Sequence, residues 1–349
     1  MKQWVMSRPV AWLLACWLLA ACTGEKGLLP PSGGRLYEVL LVGDREGLVR
    51  QMLEADVEGL PQSEPSFDVS DIDNEKFGAS LRQARNIIVV SIDPKTYGEA
   101  RVGYEKNVWA KPQMVIHVGA PSASVLRRSA VGVAATLRTL LNRSEANKNI
   151  ALLRNNRNTK AEKAIRQMFG VSMWIPVDMV ACKRGKDFVW LSNNGVATMQ
   201  NIVVYTAPSM AKHGVQATGG LKEFVAWRNQ VMKQNIMGET DSMWMTTVGA
   251  SVSKSLVFRN DEDRNLWLRR REEAHAPMIL FRGLWEMRGD DMGGPFVSRL
   301  LSTDTRFSLE KERSEGVVAE GFVFAPGKSK RNAIRRLEAV LYTLQWDKP

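Results

Sequence analysis

The chain has 349 residues, of which 44% are hydrophobic and 24% charged, and a formal net charge of +11. That length holds one large or two ordinary domains, and that balance supports a buried core, which excludes collagen-like, low-complexity and disordered chains. Lys/Arg and Asp/Glu are interspersed, as in Arg269-Arg270-Arg271-Glu272-Glu273, so the basic excess reads as a solvated mixed-charge surface rather than a nucleic-acid patch.

The first predicted element is a leader. Lys2 and Arg8 precede an uncharged run from Pro9 to Ala21, the layout of a secretory signal. As a helix this run reaches roughly 20 Å, short of the roughly 30 Å of a hydrocarbon core, so it reads as a cleaved segment over 1–21 rather than a span. It ends Leu19-Ala20-Ala21-Cys22, which resembles the lipobox of bacterial lipoproteins. That resemblance implies a diacylglyceryl thioether on Cys22, further acyl chains such as palmitate, and anchoring to a membrane. Several acyl chains hold stably where one does not, since each buried CH2 contributes about 0.8 kcal/mol. Thr23, in place of Asp, implies the outer membrane. Without the leader the charge is about +9. Cys182 then stands without a disulfide partner, and Val180-Ala181-Cys182 reads as part of a buried strand.

Residues 22–34 are rich in Gly, Pro and Ser and read as a tether. An N-terminal α/β domain is predicted over 35–170. It has a strand at 37–42, a helix at 45–55, and a loop at 59–77 whose Asp71 and Asp73 precede a helical pattern. Strands at 87–90, 100–105 and 114–118 lead to Gly119-Ala120-Pro121. A helix follows with Leu126, Ala130, Val133, Ala134, Leu137, Leu140 and Leu141 on one face. A C-terminal α+β domain is predicted over 171–349. There the order of three strands, a proline and a helix returns twice, with strands near 175–182, 188–191 and 202–205, then near 279–287, 296–301 and 317–324. The class expected is α+β, with antiparallel sheets covered by helices on one face and strand-strand-strand-helix units that recur.

The residues that carry chemistry are sparse. His117, His213 and His275 lack metal-ligand spacing, and no HExxH, CxxC, GxSxG or glycine-rich phosphate loop occurs, so no metal and no cofactor is expected. The Ser-x-x-Lys strings at Ser209, Ser251 and Ser308 lack their companion motifs. Asp68, Asp71 and Asp73 have the wrong spacing for an EF-hand. The segment GLWEMRGDDMGGPFVSR, 283–299, brings together Glu286, Asp290 and Asp291, which as paired carboxylates would serve glycosidic hydrolysis with Trp285 as an aromatic wall. As a turn between two strands, the same Asp pair would bond its own backbone. Trp285, Arg288, Asp290 and Asp291 are therefore binding candidates and only weak catalytic ones. A second basic stretch, Lys328, Lys330, Arg331, Arg335 and Arg336, reads as a helix face able to meet anionic lipid or glycan.

The lipobox, GLPQSEPSFDVSDI (59–72), RNIIVVSID (85–93), VWAKPQM (108–114), GKDFVW (185–190), RGLWEMRGDDMGGPFVS (282–298) and EGFVFAPGKSKRNAIRRLEAVLYTL (320–344) together resemble an uncharacterised lipoprotein family of Bacteroidota, domain of unknown function 4837. The resemblance implies an envelope lipoprotein and imports no activity or site residue. The expected function is thus a lipid-anchored, non-enzymatic envelope protein that binds a protein or glycan partner and no nucleic acid. The alternative is an envelope hydrolase acting on glycan or peptide through the 283–299 carboxylates.

Overall fold

The structure, a computed structural model, describes residues 28–207, 220–258, 264–265, 269, 277–301 and 316–347. The leader, Cys22, His213, His275, Trp267 and the Ser209 and Ser308 strings lie outside the described residues.

The first unit is a five-stranded sheet. Its strands are β1 (Glu38–Val42), β2 (Asp68–Ile72), β3 (Asn86–Ile92), β4 (Arg101–Lys106) and β5 (Met114–Ala120), in the order β2-β1-β3-β5-β4. β2, β1, β3 and β5 run parallel, and only β4 is antiparallel, to β5. The near-continuous apolar runs of β1, β3 and β5 fit that arrangement, because parallel strands are covered on both faces. One face packs on α1 (Leu48–Leu53), α2 (Ala123–Arg128) and α3 (Ala130–Leu153) through Val49, Leu53, Leu126, Val133, Leu137 and Leu141. The other holds Leu40, Val42, Ile87 and Val115 under Phe77, Leu81, Val108 and Trp109 from turns and connecting segments. The predicted helical face is observed, divided between α2 and α3 by Ser129.

The second unit is an eight-stranded antiparallel sheet. β7 (Ala181–Arg184), β8 (Phe188–Ser192) and β9 (Met199–Ala207) form one meander. β12 (Met278–Met287), β13 (Gly293–Leu301) and β14 (Gly316–Phe324) form another, and β14 pairs with β9 to join them. β10 (Met245–Thr247) and β11 (Ser253–Val257) both pair with β12. Val317, Ala319 and Val323 face a core shared with α4 (Thr159–Phe169) and α6 (Arg331–Leu341). Val318 and Phe322 face the opposite core, with α5 (Gly220–Asn235). Gly321 permits the close seat of α6, since a Cβ there would lie 2.6 Å from the Leu337 Cβ. A small two-stranded ladder, β6 (Val171–Ser172) with β15 (Gln345–Trp346), ties the end of α4 to the segment after α6.

The α+β class is observed, with six corrections of detail. Helices cover both faces of the larger sheet rather than one, because β14 is buried on both sides. The first sheet is mostly parallel, so its three-strand unit differs in pairing from the two meanders. The strand expected near 175–182 begins at Ala181; before it, Met173, Ile175 and Met179 fill the core outside any strand. α4, assigned from sequence to the N-terminal domain, packs with the C-terminal sheet through Ile165 and Phe169. Pro30 to Gly34, read as tether, lies along the first unit: Lys111 N donates to the Pro30 carbonyl at 2.9 Å, and Gly33 N donates to that of Gln83 at 2.9 Å. Cys182, read as a core residue, is exposed, since β7 is an edge strand and the core ends before it.

Candidate functional site

The 283–299 segment is a hairpin. β12 ends at Met287, residues 288–292 make the turn, and β13 begins at Gly293, with Glu286 in register with Gly293. Trp285 is only 3% exposed; its Nε1 donates to the Val323 carbonyl at 3.2 Å, and its ring meets Phe322 edge-on at 5.5 Å. It is a core residue and not a wall of a cleft. Glu286, Asp290 and Asp291 are exposed, and Asp290 Oδ1 accepts from the Asp291 amide at 2.6 Å, the bond a turn asks of an Asp. Arg288 spends its guanidinium on the Trp244 ring, 4.6 Å from the centroid, and Lys233 sits 4.3 Å from the same ring. The hairpin therefore exposes its carboxylates and buries the aromatic ring that the hydrolase alternative sets beside them.

Of the basic stretch, Lys328 is exposed and Arg336 partly so, but Lys330 and Arg331 are buried. Arg331 is 4% exposed, and its guanidinium takes the Asp68 carboxylate in two bonds, at 3.1 and 2.7 Å, and the Pro65 carbonyl at 2.6 Å. Arg335 donates to the Ser66 carbonyl at 2.6 Å and lies 4.3 Å from the Tyr37 ring centroid. Arg336 pairs with Asp178. The first turn of α6 is capped from the other unit: Glu64 accepts from the amides of Lys330 at 2.7 Å and Arg331 at 3.0 Å, and from the Ser329 hydroxyl. Burial pushes the Glu64 carboxyl up, but those donors and the Arg331 charge outweigh it and hold the group below the usual range. Further along α6, Glu338 binds Arg282 through two bonds and accepts from the Tyr342 hydroxyl. Of the residues read as a lipid- or glycan-binding face, Arg331, Arg335 and the Lys330 amide thus join the two units, while Arg336 stays within the second.

A second polar cluster sits at the amino ends of β1 and β3. Glu145 accepts from Lys148 Nζ at 2.9 Å, Arg85 Nε at 3.1 Å and Asn86 Nδ2 at 3.0 Å. Burial pushes the Glu145 carboxyl up, and the nearby Lys148 and Arg85 charges pull it below its ordinary value.

The opposite ends of the same strands carry a cleft of about 440 Å³ that sequence reasoning missed. The chain leaves β1 toward β2 on one side and reaches β3 on the other, so β1 and β3 flank the point where strand order reverses. In open parallel sheets this is where crevices bind ligands. Gly43, Asp44 and Glu46 come from the β1–α1 loop, Ser91 and Ile92 from the end of β3, Ala123 and Leu126 from α2, and Asn74 from the turn after β2. Gly43 has φ +79, and a Cβ there would lie 2.8 Å from Asn74 Oδ1, so the turn out of β1 needs glycine. Asp44 accepts from the Arg50 amide at 2.9 Å, and the amides of Val49 and Leu48 also bond it. Burial raises its carboxyl above the usual range against those donors. Glu46 reaches Arg127 at 3.2 Å and so ties the loop to α2. The signal that could have found this cleft is the pair of all-apolar strands ending in Gly43-Asp44 and Ser91-Ile92.

A mostly parallel sheet joined through α6 to a larger antiparallel sheet defines an α+β protein of two units. Its second unit matches the model Domain of unknown function (DUF4837) over residues 158–343, more than half of the chain, and the chain belongs to that family. The first unit matches Domain of unknown function (DUF8532) over residues 32–154. No curated protein and no solved structure matches the chain.

Proposed function

We propose that this is a lipid-anchored cell-envelope protein that binds a partner or ligand rather than transforming one. The anchor rests on Leu19-Ala20-Ala21-Cys22 after an uncharged run, and acyl chains on Cys22 would hold the protein at the outer membrane of a Bacteroidota-type envelope. No helix among the described residues is long and apolar enough to cross a membrane. The stretch from Cys22 to Pro30 extends at most roughly 27 Å, and from Pro30 onward the chain is bonded to the first unit. The anchor therefore keeps that unit close to the bilayer, within reach of envelope glycan and protein.

The observation that carries binding over hydrolysis is the hairpin, where exposed Glu286, Asp290 and Asp291 stand apart from a buried Trp285. The test replaces the anchor. Cys22→Ala should abolish incorporation of labelled palmitate and move the protein from the membrane pellet to the soluble fraction. Membrane retention that survives the substitution overturns the reading.

A further inference from the structure

We infer that β4, the open edge of the first sheet, pairs antiparallel with β4 of a second copy of this chain, about a two-fold axis through Gly103. This goes beyond the binding role proposed above and does not depend on the lipid anchor.

β4 ends the strand order of its sheet, so one side of its backbone pairs with β5 and the other meets no strand among the described residues. Two bonds fix which groups face outward. Met114 N donates to the Arg85 carbonyl at 3.0 Å, so Met114, Ile116 and Val118 turn their backbone groups toward β3. Asn107 N donates to the Gln113 carbonyl at 3.0 Å across the β4–β5 turn. Bonded pairs alternate along an antiparallel ladder. Glu105, Gly103 and Arg101 therefore bond β5, and Val102, Tyr104 and Lys106 turn their amides and carbonyls to the open side.

A two-fold strand pair must set those open residues against one another. Centred on Arg101 or Glu105, it would put like charges face to face. Centred on Val102, it would bring Glu99 against Glu105, and centred on Tyr104 it would set neither charge against an opposite one. Centred on Gly103, it sets Arg101 against Glu105 twice on one face and Val102 against Tyr104 twice on the other. These side chains are available. Arg101 and Glu105 hold only exposed partners, Glu99 and His117, each at 3.2 Å, and Tyr104 is 52% exposed. Gly103 sits at the axis, in the non-bonded pair where strands come closest, and has no Cβ to hold them apart. Two other edges differ. β7 carries Lys183 and Arg184 and no acid, the charge guard of an edge that stays single. On β2, Asp68 and Asp71 are taken by Arg331 and Arg50. A six-residue pairing is smaller than a standard interface, so the dimer is weak and exchanges.

The experiment traps it by cross-linking. In the purified full chain with Cys182→Ser, Gly103→Cys places two thiols across the axis. Opposed Cα atoms of a non-bonded pair lie roughly 4.5 Å apart, inside the disulfide range of about 4.4–6.8 Å. A Cβ at Gly103 meets nothing within 4 Å, so the side chain fits. Lys106→Cys, also exposed and on the same strand, would lie roughly 20 Å from its copy and reports chance collision in solution or in a shared micelle. Under copper phenanthroline, Gly103→Cys should give a disulfide-linked homodimer at least about tenfold faster than Lys106→Cys. Arg101→Glu added to Gly103→Cys sets like charges against Glu105 of the second copy and should slow the cross-link about tenfold. Adding Glu105→Arg as well should restore it. Equal rates for Gly103→Cys and Lys106→Cys overturn the inference, as does a charge exchange that fails to restore the cross-link. Oxidation in cells that links Gly103→Cys to a different envelope protein, and not to itself, overturns it too.

Discussion

The two sheets bury charge in different places. In the antiparallel sheet the pair lies in the middle of one face: Arg228 and Glu320 are both 0% exposed, bonded at 2.7 and 2.9 Å, with Thr247 and Ser298 satisfying further atoms and Phe296 under the guanidinium at 4.0 Å. In the parallel sheet the cluster of Glu145, Lys148 and Arg85 lies at one end, beside the starts of β1 and β3. The difference follows from strand direction. Antiparallel strands offer equivalent ends, so a buried pair there consolidates packing against α5. Parallel strands have two unlike ends, and pinning the amino ends with charge leaves the carboxyl ends, where the crossing loops diverge, open as a cleft. The buried charge cluster and the cleft thereby lie at opposite ends of one set of strands.

The largest expected effect tests the antiparallel half of that contrast. Glu320→Ala leaves Arg228 buried without its carboxylate and should cost about 3–5 kcal/mol in urea unfolding. The double variant Arg228→Met with Glu320→Leu removes both charges and should recover most of that loss, because a buried pair contributes little beyond a well-packed apolar one. A single variant that unfolds no more easily than the wild type would break the assignment of Arg228–Glu320 as the pivot of the α5 face.

A smaller effect is expected at the parallel end. Lys148→Met removes one of the two cations on Glu145, and Arg85 remains at 3.0 Å, so the loss should be about 1–3 kcal/mol. Glu145 also gives a pH signature. Its folded pKa lies below the ordinary value of 4.5, with burial opposing and the Lys148 and Arg85 charges prevailing. A depressed carboxyl contributes stability above its unfolded pKa and loses it as pH falls through the folded one. Glu145→Gln should therefore flatten the stability profile below about pH 4.5 relative to wild type. An acid profile unchanged by Glu145→Gln shows that this cluster is not what holds the amino ends.

How much of this was legible follows the range of the interactions. Strand and helix positions read well because periodicity is local: Val133, Leu137 and Leu141 announce α3, and Ile334, Leu337 and Leu341 announce α6. The continuous apolar runs of β1, β3 and β5 carried a signature of parallel pairing that a count of strands and helices passed over. Arg331 and Arg335 looked like a surface because their partners, Asp68, Pro65 and Ser66, lie more than 260 residues away in the chain. The carboxylates of the hairpin are near Trp285 in sequence but do not share its face, because β12 buries Trp285 and exposes Glu286 by simple alternation. The cleft was invisible for the opposite reason: its lining comes from four separate segments and contains no motif.

The smallest expected effect concerns the edge of the antiparallel sheet, where neither buried charge nor a cleft is at stake. Val180-Ala181-Cys182 read as core from composition alone, yet Cys182 is exposed on β7 and Val180 is 69% exposed. Cys182→Ser should change stability by no more than about 0.5 kcal/mol, as for a surface site away from caps and cores. The native thiol should react with a maleimide at a rate unchanged by sub-denaturing urea, since no opening is needed to reach it. Labelling that waits on unfolding would put β7 inside the sheet, with a further element covering its edge. The contrast between a closed antiparallel sheet and a parallel one open at its carboxyl ends would then rest on the cleft alone.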